Sequence, residues 1–289
     1  MTPAPPRELF IYEITGDARA AAQGPGPDLG PDYLGLWLEA DSSFLFFGAP
    51  AGQRVASLLA RDPALTLRDS YQMPFAAWQG GAGALAFSVG GLTIAPPWAE
   101  PPPTPGPASL VLDPGVVFGD GLHPTTRHCL ELLDLLRRQG PLGRVSDLGC
   151  GTGILGLAAL AWGAEEALAV DLNPLCVTTA AANAQANDLP LTVAEGPAGD
   201  FLARPARVAL ANLPLFVHAE LWRPGPNLAG KEHLILSGIM PSEAPELTRL
   251  VTAAGFRLRE RRETPGSWVA LWASRRQEVE EDVGGRTLF

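Results

Sequence analysis

The segment Val145-Ser146-Asp147-Leu148-Gly149-Cys150-Gly151-Thr152-Gly153-Ile154-Leu155 limits what this chain can fold into more than any other. An apolar strand runs into a turn with three glycines and leaves it as an apolar helix, and glycines in such a turn let a ligand approach the backbone closely. Plain strand-to-helix connections use glycine too. Residues 151–156 also satisfy the dinucleotide fingerprint G-x-G-x-x-G, although that match taken alone is weak. Asp147 separates the two ligand readings. A diphosphate sits at a helix amino terminus, where an adjacent carboxylate repels it at low effective dielectric. S-adenosylmethionine has no phosphate and carries an ammonium and a sulfonium, so the same carboxylate favours it, directly or through water. Asp171 ends the next strand pattern, Ala169-Val170-Asp171-Leu172-Asn173-Pro174. There a carboxylate accepts hydrogen bonds from both ribose hydroxyls of an adenosine ligand, whichever cofactor is present. The alternative is a cap for the helix starting at Pro174, a task for which Asn173 is better placed.

Around this turn, strand patterns at 144–148, 167–170, 191–194, 208–211, 233–236, 256–260 and 268–273 alternate with helical patterns at 127–138, 154–162, 174–187 and 242–253. Alternation of this kind predicts an α/β domain over 108–274, a seven-stranded sheet with helices on both faces and ligands beyond the carboxyl ends of the strands. Residues 95–107 (APPWAEPPPTPGP) are too rich in proline for a helix or a central strand and read as an extended linker between domains. Ahead of it, within 1–94, strands at 8–14, 33–39, 44–47 and 65–70 and helices at 17–23 and 52–60 follow the order β, α, β, β, α, β. That order predicts a small two-layer α+β domain of ferredoxin-like type, with the Gly/Pro-rich stretch 24–31 interrupting or following its first helix. The charged tail, 275–289, is expected to fray.

Composition narrows the function classes. The formal charge of −10 and the lack of a compensating basic run argue against direct nucleic-acid binding and leave a basic protein as the easier partner. No run of eighteen apolar residues occurs, and residues 1–10 lack a basic start followed by an apolar stretch, so neither membrane insertion nor secretion is expected. Cys129, Cys150 and Cys176 form no Cys-x-x-Cys pair, and His128, His218 and His233 have no metal-ligand spacing. A cytoplasmic protein without a metal site is the expectation. Trp98, Trp222, Trp268 and Trp272 read as core or interface residues.

Ala211-Asn212-Leu213-Pro214-Leu215-Phe216 follows the fourth strand of the larger domain, where it faces the cofactor across the reversal of strand order. Methyl transfer to nitrogen needs a neutral amine aimed in line with the departing sulfur, and an Asn oxygen with a backbone carbonyl holds the amine hydrogens that way. Asn212 is therefore the candidate catalytic residue, and a cap on a following helix is its alternative role. Upstream, residues 113–126, with Phe118-Gly119-Asp120-Gly121-Leu122-His123-Pro124-Thr125-Thr126, form a turn-rich approach to a helix whose polar groups can close over the cofactor. Read blind, His123 and the two threonines are more often caps than ligands.

Taken together, Phe118-Gly119-x-Gly121-x-His123-Pro124-Thr125-Thr126, Asp147-x-Gly149-Cys150-Gly151-Thr152-Gly153, Val170-Asp171-x-Asn173-Pro174, Ala211-Asn212-Leu213 and Ser237-Gly238-Ile239 resemble the bacterial PrmA family over residues 110–273. That family belongs to the class I, Rossmann-like methyltransferases and methylates lysine ε-amines and an amino-terminal α-amine of ribosomal protein L11. The resemblance implies S-adenosylmethionine as cofactor. It assigns Phe118, Gly119, Thr126, Asp147, Gly149, Gly151, Gly153, Asp171 and Asn212 to the cofactor or to the frame of the transfer site. It also implies acceptor recognition by the small first domain. Asp120 stands where the family has threonine, and Leu213-Pro214-Leu215 departs from the family pattern, which puts acceptor choice in doubt. Pro214 gives the loop a partial likeness to the Asn-Pro-Pro-aromatic motif of enzymes that methylate glutamine or adenine nitrogens. Three other readings stay open: a different protein or a small molecule as acceptor, a non-catalytic module that keeps the fold, and an NAD-dependent oxidoreductase.

Overall fold

The computed structural model describes residues 5–23, 28–39, 41–78, 85–228 and 230–275. The chain begins with β1 (Glu8–Thr15), α1 (Arg19–Gln23), β2 (Tyr33–Glu39), β3 (Ser42–Phe47), α2 (Gly52–Leu59) and β4 (Thr66–Pro74). These strands form an antiparallel sheet in the order β2-β3-β1-β4, the ferredoxin-like arrangement expected. Because side chains alternate along a strand, β1 and β3 sort their apolar residues onto two faces. Tyr12, Ile14, Leu45 and Phe47 pack with Val55 and Leu58 of α2. Leu9, Ile11, Phe44 and Phe46 point the other way and share a cluster with Val116, Val117 and Leu175 of the larger domain.

The connection contains α3 (Phe75–Trp78) and a three-stranded sheet of β5 (Phe87–Val89), β6 (Leu92–Ala95) and β7 (Ser109–Val111). The sequence pattern missed all four of these short elements. An expected division at 95–107 puts β5 and β6 with the first domain, whereas Val89, Leu92 and Ile94 share a core with Leu130, Leu133 and Leu157 of the larger one.

Next come α4 (Pro124–Arg137), β8 (Arg144–Leu148), α5 (Ile154–Ala161), β9 (Glu166–Asp171), α6 (Pro174–Ala186), β10 (Leu191–Glu195) and α7 (Ala198–Phe201). The chain continues through β11 (Val208–Asn212), α8 (Leu215–Leu221), β12 (His233–Ile239), α9 (Ala244–Ala253), β13 (Phe256–Thr264) and β14 (Trp268–Arg275). The sheet order is β10-β9-β8-β11-β12-β14-β13, with β14 antiparallel to both its neighbours and the other pairs parallel. The seven-stranded class I architecture is therefore present. Strand order reverses between β8 and β11, which opens a crevice beyond their carboxyl ends. Helices cover both faces, so β8 and β11 read as near-continuous buried runs rather than as alternating ones.

Several boundaries moved for local reasons. Helix α4 starts at Pro124 instead of 127, because His123 caps it and proline at the first helical position needs no N–H partner. Helix α8 follows Asn212, where a helix entered the sequence reading only through the alternative capping role, because seven residues are too few to show a helical period. Trp222 and Trp272 are buried, while Trp98 and Trp268 are partly covered. Of the tail expected to fray, Arg275 ends β14 and residues 276–289 lie outside the described residues. Among the described residues, no helix is long and apolar enough to cross a membrane.

Candidate functional site

The turn after β8 is held from two sides. Gly149 and Cys150 donate backbone N–H bonds of 2.8 and 3.0 Å to the Val170 carbonyl at the end of β9. From above, the approach to α4 lies down on the turn: Thr152 N donates to the Phe118 carbonyl at 3.1 Å, and Thr152 Oγ1 to the Gly119 carbonyl at 2.6 Å. Gly151 is what permits this approach. Its φ is +53°, and a Cβ there would stand 2.3 Å from the Phe118 oxygen. Phe118 and Gly119 thus touch the turn through their carbonyls, leaving the Phe118 ring half exposed. Gly153 forms the left-handed entry to α5.

Asp171 accepts the Gly151 N–H at 2.9 Å on one oxygen and the Asn173 N–H at 2.9 Å on the other. The Leu172 N–H and the Cys176 thiol also reach this carboxylate. Asn173 caps α6 by accepting the Leu175 N–H at 3.1 Å, so the cap and the acid are separate residues. Burial raises the Asp171 pKa, and the hydrogen bonds from Asn173, Gly151, Cys176 and Leu172 work against that shift.

Asp147 lies inside β8, 1% exposed. One oxygen accepts the Gly156 N–H of the first turn of α5 at 3.0 Å. The other, Oδ1, is buried and has no donor among the described residues. Burial pushes this carboxyl up to about 7, with the Gly156 bond opposing and the Asp171 charge adding to the shift. A carboxylate already at the first turn of α5 is a poor neighbour for a diphosphate and a good one for a cation. The unpartnered Oδ1 and the Asp171 carboxylate at the end of β9 suit an adenosyl ligand with positive charge.

Asn212 ends β11 across the switch point. Its Nδ2 donates to Thr125 Oγ1 at 3.1 Å and Thr126 Oγ1 at 3.4 Å, and nothing among the described residues donates to its Oδ1. It does not cap α8, whose N-cap is Pro214. Thr125 and Thr126 are buried in the first turn of α4, so Thr126 meets Asn212 rather than open space. His123 is the α4 cap: its Nδ1 accepts the Thr125 N–H at 3.4 Å and lies 2.8 Å from Thr125 Oγ1. Burial lowers its pKa, so the ring is neutral at ordinary pH. The His123 ring sits edge-on between Phe118 and Trp268, 5.1 Å from each, forming an aromatic wall beside Asn212's threonine partners.

Behind Asn212, a second set of groups fixes the turn into α8. Leu213 N and His218 Nε2 lie 3.0 and 2.8 Å from the same Ser237 carbonyl. Trp222 Nε1, a donor only, reaches His218 Nδ1 at 2.9 Å, so the proton of the neutral ring is on Nε2 and points at that carbonyl. Burial takes this imidazole down to about 4 and keeps it neutral.

A cavity of about 940 Å³ lies beside the glycine turn rather than over it. It opens between the second face of the small sheet and the approach to α4. Trp37, Phe44, Phe46 and Tyr71 line one side, and Phe118, Gly119, Asp120 and His123 the other. On the small-sheet side lie Glu39 and Glu13, the latter paired with Arg68 at 3.0 Å and hydrogen-bonded by the Tyr71 hydroxyl at 2.7 Å. Asp120 faces this cavity.

Sequence reasoning missed two asparagines on α6 that organise the site. Asn183 takes the Asp113 N–H at 2.8 Å and donates to the Asp113 carbonyl at 2.9 Å and to the Thr152 carbonyl at 3.0 Å. Asn187 bonds both backbone groups of Val111 in the same manner, at 2.8 and 2.7 Å. Their spacing of one helical turn on a face that is otherwise apolar was the available signal. His218 and the aromatic cleft carried no local signal at all.

Comparison with known proteins is consistent with this geometry. The model of the family described as ribosomal protein L11 methyltransferase (PrmA) matches residues 87–276. A ribosomal protein L11 methyltransferase of Parasynechococcus marenigrum is 37% identical over 196 residues, 64% of this chain and 66% of its own length. One from Pelobacter propionicus is 41% identical over 197 residues, 62% of this chain and 60% of its own. The chain thus spans about three fifths to two thirds of the length of the curated relatives it matches. A crystal structure of a ribosomal protein L11 methylase from Lactobacillus delbrueckii subsp. bulgaricus superposes with a TM-score of 0.57 at 27% identity, over 67% of this chain and all of the other.

Proposed function

Because the chain belongs to the ribosomal protein L11 methyltransferase family, we propose that it transfers methyl groups from S-adenosylmethionine to amine nitrogens of a basic protein in the cytoplasm. Ribosomal protein L11, named for the relatives, is the first acceptor to test. The observation that carries this reading is the Asn212 carboxamide. Its amide nitrogen is held by two buried threonines and its oxygen has no donor among the described residues. That arrangement suits an amine hydrogen, and it orients the nitrogen lone pair without needing a general base.

When bound, the cofactor supplies a methyl carbon on a sulfonium, which is already a good leaving group. The residues beside it have separate tasks. Asp171 accepts the ribose hydroxyls, Asp147 favours the positive end of the ligand, and Gly149, Gly151 and Gly153 keep the turn in its shape. The rings of Phe118, His123 and Trp268 exclude water from the acceptor, and an apolar wall lowers an amine's pKa and releases its lone pair. His123, being neutral, adds no charge that would oppose a cationic donor. Acidic groups on the cleft walls favour the approach of a basic protein.

Incubating the purified chain with methyl-labelled S-adenosylmethionine and ribosomes or free ribosomal protein L11 from a methylation-deficient strain is expected to place label on amines of that protein. Label on some other protein instead would sink the named acceptor, and no label anywhere would sink the activity.

The Asp147 carboxyl makes cofactor binding pH-dependent. The folded chain holds this proton up to about 7, whereas the unfolded carboxyl loses it near 3.8. Its contribution to stability is therefore full below the lower value and is lost as pH rises through the upper one. A cationic ligand prefers the ionised form, so S-adenosylmethionine affinity is expected to rise by several-fold between about pH 6 and 8. Calorimetric titration checks this: Asp147→Asn should flatten the pH dependence, and an unchanged dependence in that variant would remove Asp147 from the account.

A further inference from the structure

At the opposite end of the seven-stranded sheet from the glycine turn, β11 and β12 begin and β14 ends around a depression of about 580 Å³. Arg207, Arg257, Arg259 and Arg275 all line it, with Glu232 as the one carboxylate. In a chain with a formal charge of −10, this is a concentration of positive charge that the average conceals.

The four guanidiniums differ in how they are held. Arg207 Nε bonds Glu232 at 2.8 Å, a neutralised pair. Arg275 is fixed by neutral groups: it donates to the Lys231 carbonyl at 2.8 Å and to the Leu228 carbonyl, and lies 4.8 Å from the centroid of the Phe256 ring. Its charge is thus held in place by neutral groups, with no carboxylate partner among the described residues. Arg257 and Arg259 are exposed on β13 with no carboxylate or hydrogen-bond partner among the described residues. Farther along the same strand, Arg262 and Arg261 pair with Glu260 and Glu263 at 2.5 Å each. Strand β13 therefore has two self-neutralised arginines and two that are not. The register shift between Leu258 and Glu260 marks the change, and bulges of this kind re-aim side chains. His233 adds a donor rather than a charge. Trp272 Nε1 reaches its Nδ1 at 3.3 Å, which puts the ring proton on Nε2, and burial with the nearby arginines keeps the ring neutral.

Unpaired charges on an edge strand also discourage edge-to-edge pairing. That role needs neither a concave surface nor a third guanidinium clamped by carbonyls at its rim. Forked guanidinium donors match the oxygens of a phosphate group, and the depression has room for more than a single inorganic ion.

We infer that this depression is a second, non-catalytic site that binds a phosphate-bearing ligand, with Arg257 and Arg259 as its mobile contacts and Arg275 as its fixed one. The inference does not depend on methyl transfer. Pyrophosphate and a labelled single-stranded RNA of about twelve nucleotides are the probes, titrated into the full chain between about 50 and 200 mM salt. Binding of either is expected, and Arg257→Ala with Arg259→Ala should weaken it at least about tenfold. For RNA, losing two phosphate contacts should also make the slope of log affinity against log salt shallower by about 1.4. Binding of pyrophosphate alone identifies a free anion as the source, and binding of RNA alone identifies a nucleic-acid backbone. No binding of either probe, or equal affinity and slope in the double variant, would overturn the site. Both residues are exposed, so an unchanged melting temperature and unchanged label transfer to a free protein acceptor separate this outcome from misfolding or loss of the catalytic reading.

Discussion

Replacing Asn212 with alanine is expected to lower kcat by about a hundredfold, because a misplaced nucleophile costs on that order when positioning dominates the rate. S-adenosylmethionine affinity should change by less than about threefold, since the interaction removed is made with the acceptor in the transition state. The threonines make the experiment specific. Thr125 and Thr126 anchor the amide nitrogen, so alanine removes the oxygen and frees two buried hydroxyls at once. Asn212→Asp separates these effects. Threonine hydroxyls can rotate to donate instead of accept, so the aspartate stays in place but brings a negative charge that holds the amine protonated. Its rate should be low near neutrality and recover as pH rises, whereas the alanine variant should not recover. Single-turnover rates over a pH series, with cofactor affinity measured in parallel, read both predictions. Wild-type kcat in Asn212→Ala would remove this residue from the mechanism.

Gly151→Ala is expected to destabilise the folded chain by about 2–3 kcal/mol, from about 1–2 kcal/mol for a left-handed backbone with a Cβ and about 1 for the hydrogen bond disrupted beside it. The new Cβ would stand 2.3 Å from the Phe118 carbonyl oxygen, which is backbone and cannot rotate away. Relief requires lifting the approach to α4 from the glycine turn, breaking the 3.1 Å bond from Thr152 N. Cofactor binding then weakens as well, since Phe118 and Gly119 leave the turn. Gly163→Ala is the control. Its φ is +90° and nothing lies within 4 Å of its added Cβ, so it carries the backbone cost alone. Chemical denaturation of both variants therefore isolates the cost of close approach, and equal losses in the two would show that the Phe118 contact contributes nothing.

The parts of this fold that were legible beforehand share a physical basis. Strand β8, helix α5 and strand β9 follow from hydrophobic period and from sterics at glycine, which act over a few residues. Asp171 and Asn173 were separable because a strand end and a helix cap have different local geometry. Helix α8 and strands β5 to β7 were too short to show a period. They form because the larger core supplies what their own sequence does not, as the packing of Leu92 and Ile94 against α4 shows. The glycine turn illustrates the boundary between the two kinds of information. Its glycines suggested close approach of a ligand, yet the nearest atom a Cβ on Gly151 would meet belongs to Phe118, thirty-three residues earlier.

By itself, then, the sequence determined the order and kind of the main elements, the place of the glycine turn, and the acids at and near the ends of β8 and β9. Tertiary structure alone decided which polar groups complete one another. Asn212 meets Thr125 across 87 residues, and Asn183 ties Asp113 and Thr152 together across 70 and 31. It also decided that the second face of the small sheet makes one wall of the cleft, and that two of four arginines on one strand have no partner among the described residues. Local patterns record what a segment does with its own neighbours. A buried amide, hydroxyl or carboxylate finds its partner only once packing has brought distant segments together and excluded the water that would otherwise have served.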